Sequence, residues 1–181
     1  MADQSPVPAR FIGLDIHKHY LVAVGVDAQQ THVFGPQRVP YPRLAAWIQR
    51  HLTATDAVVL ETTANAFQIH DELQPHVQSV TVVYPPHIAL VTRVPVKTDT
   101  KAALALAQLL AAGLLVGIWV PPAAVRDLRA LVAQRANMRR LATQARNRLH
   151  AVLHRARLTS PPAGLFSAAQ RRWWHQLPVL R

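Results

Sequence analysis

The chain has 181 residues, of which 50% are hydrophobic and 16% charged, with 6 Gly and no Cys; that length suits one large domain or one domain with an appendage, and the composition excludes a disordered or collagen-like chain. Without cysteine there is no disulfide, no thiolate zinc site and no cysteine nucleophile, which suits a cytoplasmic protein, and the opening MADQSPVPARF puts an acid and two prolines where a secretory signal needs a basic start and an apolar run. The net charge of +11 is unevenly placed: up to Asp127 nine basic residues offset nine acids, whereas residues 128–181 hold eleven arginines and neither an acid nor a lysine.

In chain order, Phe11 to His17, Tyr20 to Asp27 and Gln30 to Gly35 are short β-rich runs broken by HKH and DAQ, a pattern that predicts an antiparallel meander with its first two strands largely buried. Arg43 to Leu52 carries Leu44, Trp47, Ile48 and Leu52 at helical spacing. The pattern then alternates. Ala57 to Glu61 is a strand, Ala64 to Leu73 a helix stopped by Pro75, and Val77 to Tyr84 a strand stopped by Pro85 and Pro86. A meander followed by alternating strands and helices predicts an α/β, RNase H-like mixed sheet with flanking helices. Thr98 is placed to cap a helix from Asp99 to about Ala112, which Gly113 ends. Residues 102–120 are uncharged, long enough to raise the question of a bilayer span. Their alanine content, Gly113, Gly117 and the closing WVPP argue against one.

From Val125 to Leu158 the chain reads as one long helix, with Leu128, Leu131, Met138, Ala142, Ala145, Leu149, Val152 and Ala156 on alternating three and four spacings and Arg135 as the interruption. Such a seam suggests a coiled coil between two copies of the chain, with an intramolecular helix packed on the sheet as the alternative. The eight arginines of this segment beyond Asp127, Arg129, Arg135, Arg139, Arg140, Arg146, Arg148, Arg155 and Arg157, are the expected footprint of a phosphate-backbone binder. The expected organisation is a domain over 11–120, a basic helix over 121–158, and a short basic tail over 159–181 that follows the SPP break.

Three acids stand where sheet-borne metal sites put them. Asp15 lies inside the first strand in GLDIHK, Glu61 ends AVVLE, and Asp99 opens the helix after VKT. Carboxylates on such rigid platforms can converge on a hard cation such as Mg²⁺. An aspartate within FIGLDI disfavours burial unless something pairs with it, so a functional reading is favoured at Asp15. Glu61 could simply end a strand and Asp99 complement a helix dipole. His17 and His19 flank Lys18 just after Asp15 and could touch a phosphate, though strand-end surface residues are the safer reading.

The strings GLDIHK, VLETTAN, KTDTKAALALAQLL, AAGLL and the WVPP leading to VRDLRALVAQRANMRRLATQARNRLHAVL occur in the order found in the N-terminal half of the DEDD transposases of bacterial insertion sequences, and residues 11–158 resemble that half. Members have a RuvC-like N-terminal domain and include the bridge-RNA-guided recombinases. The resemblance implies that Asp15, Glu61 and Asp99 match the first three acids of a metal-binding tetrad, with Mg²⁺ as cofactor. It further implies DNA as substrate and a structured guide RNA as partner, while the apolar seam itself predicts a homodimer or higher oligomer through the 125–158 helix.

Two departures stand out. The family pattern K-T-D-x-x-D-A meets Lys97-Thr98-Asp99-Thr100-Lys101-Ala102-Ala103 here, so Ala102 occupies the place of the fourth acid. A two-metal site lacking one carboxylate should hold at least one ion more loosely. The family's serine-bearing C-terminal domain is also expected beyond position 181, and neither Ser160 nor Ser167 sits in a context resembling its nucleophile. The expectation is therefore part of a transposase, inactive by itself. The alternatives are a truncated, non-catalytic regulator that competes with a full transposase, and a free-standing RuvC-like nuclease, which would need the full acidic set.

Overall fold

The structure, a computed structural model, describes residues 6–85, 98–159 and 164–177. Lys97, Pro86, the SPP break at 160–162 and Arg181 lie outside them. The chain divides into two compact units, 1–120 and 121–181.

The first unit is built on five strands, β1 (Arg10–Ile16), β2 (Tyr20–Val26), β3 (His32–Pro40), β4 (Asp56–Glu61) and β5 (Ser79–Val83), in the order β3-β2-β1-β4-β5. The meander β1-β2-β3 is antiparallel, whereas β4 and β5 join β1 in parallel, so the sheet is mixed. Helices α1 (Leu44–His51), α2 (Ala66–Leu73) and α3 (Asp99–Ala111) flank it, as in an RNase H-like α/β fold.

Alternation along the strands decides which helix covers which face. Ile12, Leu14 and Leu21 pack with Ile48 of α1 and Ile69 and Leu73 of α2. The intervening positions Val22, Val24 and Val59 turn to the other face and meet Ala103 and Leu106 of α3. Strands buried on both faces need near-continuous apolar sequence, and β1 and β2 supply it. The ends of β1 and β4 away from Glu61 are fastened by a fork, in which Nε and Nη2 of Arg10 donate to the two carboxylate oxygens of fully buried Asp56 at 2.8 and 2.7 Å. That hydrogen bond raises the Arg10 pKa above its ordinary value.

The uncharged run 102–120 is divided between two structural roles. Its first part is the face of α3 on the sheet; after Gly113, at φ +67°, the chain runs extended and the Ile118 N–H donates to the Val82 carbonyl on β5 at 2.7 Å. Among the described residues no helix is long and apolar enough to cross a membrane.

The second unit contains α4 (Ala123–Arg155), 33 residues long, and α5 (Arg171–His175). The sequence places the end of the long helix at Leu158, but it closes earlier. The Leu158 N–H donates to the Leu153 carbonyl at 3.0 Å, the Arg157 N–H to the His154 carbonyl at 3.1 Å, and Arg157 adopts φ +53°, a Schellman closure. It turns Leu158 back onto Leu153, which with Leu165, Leu177, Trp173 and Trp174 forms a small local core.

Candidate functional site

The site is assembled where β1 runs out beneath the start of α3. Gly13 faces the helix closely: a Cβ on it would lie 2.0 Å from the Ala103 carbonyl oxygen and 2.7 Å from the Ala107 nitrogen, so only glycine lets α3 lie this near the strand. Two residues further on, the same face presents Asp15. His17, just past the strand, follows in the same sense, and its N–H donates to the Tyr20 carbonyl at 2.9 Å to close the turn into β2. At the helix end, the Thr98 hydroxyl accepts from the Lys101 N–H at 3.3 Å and leaves Asp99 in the first turn, where the helix dipole favours a carboxylate.

These local rules bring Asp15, His17 and Asp99 together, with one ligand atom from each lying within 4.8 Å of the others. His17 Nε2 stands 3.2 Å from Asp15 Oδ2 and 3.3 Å from Asp99 Oδ2. That nitrogen is buried and aligned for a hydrogen bond with neither oxygen. Tyr20 holds the group from β2: its hydroxyl donates to Asp99 Oδ2 at 3.0 Å and its ring stacks on His17 at 4.5 Å between centroids. The hydrogen bond to Asp99 is the main reason the Tyr20 pKa is raised, with desolvation and the nearby carboxylate charges acting the same way and Arg38 opposing them. The Arg38 guanidinium lies 3.7 Å from the centroid of the Tyr20 ring.

A family model described as a transposase, the DEDD transposase domain of the IS110 type, matches residues 12–157. The chain belongs to that family. A comparison with curated proteins finds no match.

Two of the three sequence-derived acids belong to this side-chain group. Asp15 and Asp99 converge; Glu61 does not belong to the group held within 4.8 Å. It ends β4 one residue beyond Leu60, the parallel partner of Leu14, so the register sets it beside Asp15, and alternation from Val59 turns it to the same sheet face. Ala102 is in α3 one turn after Asp99, with its N–H donating to the Thr98 carbonyl. The residues sequence reading missed are His17 and Tyr20. HKHY looks like a surface turn, and the available signal was the two-residue step from Asp15, which in a strand means a shared face.

In the second unit, Arg129, Arg135, Arg139, Arg140, Arg146, Arg148, Arg155 and Arg157 are exposed. Arg140 donates to Asn137 Oδ1 at 2.7 Å, and the Arg146 guanidinium lies 5.7 Å from the centroid of the Phe166 ring, itself stacked on Trp174. Leu128, Leu131, Met138, Leu149 and Val152, the apolar positions of the expected seam, are exposed as well.

Proposed function

We propose that this transposase acts on DNA through a divalent-cation site formed by Asp15, His17 and Asp99, with Glu61 at its margin, and grips DNA and a structured guide RNA with the arginines of α4. The observation that carries the cation site is the convergence of two carboxylates and an imidazole from separated elements, with the His17 nitrogen buried and lacking a hydrogen-bond partner. Like carboxylates repel unless a cation or proton lies between them, and oxygen ligands with a neutral imidazole suit Mg²⁺ or Mn²⁺. A bound cation would stabilise charge on a phosphodiester.

Asp15 and Asp99 would hold that charge, His17 would supply the nitrogen ligand, and Tyr20 would fix the orientation of Asp99. Ala102 offers no carboxylate, so the site would hold its cation weakly and the chain by itself would not complete strand cleavage and joining. That favours, as a second reading, a non-catalytic regulator that occupies nucleic acid in competition with a complete transposase. The same activity would place the protein in the cytoplasm with its DNA.

Calorimetry with Mn²⁺ tests the site. Ala102→Asp adds a carboxylate one turn from Asp99 and should tighten binding on the order of tenfold, in line with the influence of ligand charge on divalent-cation sites. Asp15→Asn and His17→Ala, each made in that background, should lose the gain. Equal binding by all four proteins would remove the assignment.

A further inference from the structure

A second feature of the first unit lies outside the cation site and outside the arginine helix. Between edge strand β3 and helix α1 is an open cleft of about 320 Å³, lined among others by Gln37, Arg38, Arg43, Trp47, Arg50 and His51. No acid lines it. The charge is local, because basic and acidic residues balance up to Asp127. Arg38, Arg43 and Arg50 are exposed, and among the described residues none of them takes part in an ion pair.

The arrangement follows from two periodicities. Arg43 ends the short 3-10 turn Tyr41–Arg43 that leads into α1 and Arg50 follows seven residues later near the helix end, so the two lie about 10 Å apart along the axis. Trp47, between them, is buried as the floor, and its indole N–H donates to Gln37 Oε1 on β3 at 2.6 Å, which ties helix to strand. From β3, Arg38 pairs in register with Val22 and so belongs to the α3 side of the sheet, where it lies over Tyr20. Arg38 thus stands both at the cleft and against the residue that holds Asp99.

We propose that the β3–α1 cleft binds the phosphodiester backbone of DNA and leads the strand past Arg38 to the Asp15, His17 and Asp99 group. The guanidinium forks of Arg43 and Arg50 in an acid-free cleft, with Arg38 stacked on Tyr20 at its border, match successive phosphates, which arginine engages bidentately. The direction of the track rests on the cation-site reading above; binding in the cleft does not, so the test is run on the full chain with chelator present and no divalent cation.

The probe is a short DNA duplex titrated over a range of salt. Each lost phosphate contact should lower the slope of log affinity against log salt by about 0.9. The triple variant Arg38→Gln, Arg43→Gln, Arg50→Gln should therefore lose about 2 to 3 from the slope, whatever the DNA sequence, while the corresponding triple lysine variant keeps most of it. A photo-crosslinking side chain at Ala46, on the cleft wall, should label the duplex. An unchanged slope in the glutamine variant, an absence of labelling, or weakened binding confined to structured RNA would overturn the proposal. Mn²⁺ calorimetry on the same variant separates the two sites: retained metal binding with lost DNA slope locates the defect in the cleft, and lost metal binding at Asp15→Asn with an intact slope locates it in the cation site.

Discussion

Tyr20 couples the strands of the meander to the start of α3, and its chemistry can be read from its hydrogen bond to Asp99 alone. Its hydroxyl donates to Asp99, and a phenolate there would lose that bond and face two carboxylates, so the phenol is favoured and the pKa is raised. A raised acid pKa means that the folded chain keeps its proton while the unfolded chain releases it near pH 10. The contribution to stability is thus fully present below about pH 10 and is lost as pH rises through the folded value. An ultraviolet titration of wild type minus Tyr20→Phe should place the Tyr20 midpoint above that of a free tyrosine, and Asp99→Asn should bring it back. A difference titration centred at or below about pH 10 would contradict the hydrogen bond. At this scale, Asp15 and Asp99 were legible because a charge in an apolar strand and an acid behind a capping threonine each break a simple expectation. His17 and Tyr20 were not, since histidine and tyrosine beside a lysine are ordinary in a turn. Only the folded hairpin shows that the turn curls over the carboxylates.

Among the elements, α3 matters most, because it carries Asp99 and rests on a strand that carries Asp15. Gly13→Ala would drive a methyl group into the backbone of α3, where the obstacles at Ala103 and Ala107 are main-chain atoms that cannot rotate away. The helix must shift, and we expect a loss of about 1–3 kcal/mol from overpacking. Denaturant unfolding would measure it, and the variant should also lose the raised Tyr20 pKa as Asp99 moves off. Unchanged stability would mean that the helix rides higher than its contacts indicate. Most elements were readable from periodicity: the strands of the meander, the helix behind Thr98, and the alternation that makes β4 and β5 parallel partners. The misread boundaries have physical reasons. Pro36 and Pro40 fall in β3, which continues through Pro40 because an edge strand can leave one side unpaired. The long helix ends at Arg155 through a closure in which arginine, not glycine, adopts positive φ, a choice that no sequence rule for helix ends anticipates.

For the whole molecule, charge distribution predicts how any nucleic-acid affinity should respond to salt. The arginines from Arg129 to Arg157 are exposed and have no acid among them, so five to eight phosphate contacts would give a salt slope of roughly −5 to −7 on duplex DNA. Replacing Arg139, Arg140 and Arg146 with Gln should reduce the slope by about 2 to 3, additively with the cleft variant if the two surfaces act independently. A slope near zero in wild type would show that the arginines are merely solvated.

The same helix has a second surface with a different consequence. Leu128, Leu131, Met138, Leu149 and Val152 lie along one side of α4 at exposures of 61%, 69%, 51%, 43% and 42%, and the apolar core of the second unit engages the helix at Leu153 near its end. An apolar stripe running along about 35 Å of helix is unfavourable in water, and a partner helix with the same stripe would bury it, leaving arginines on both flanks. The small Ala142 and Ala145 at the middle of the seam allow close approach but contribute little burial, so the association should be modest. We expect wild type to sediment as a dimer or higher species at roughly tens of micromolar, a range in which an association of about 6–7 kcal/mol is populated. Leu149→Asp or Met138→Asp would set a carboxylate against its own copy and should yield monomer with the helix content intact. High salt distinguishes the cause, because it screens arginine repulsion across the seam and so should strengthen the dimer while it weakens nucleic-acid binding. A wild-type protein that remains monomeric at that concentration and in high salt would show that the stripe is covered by something other than a second copy of the chain.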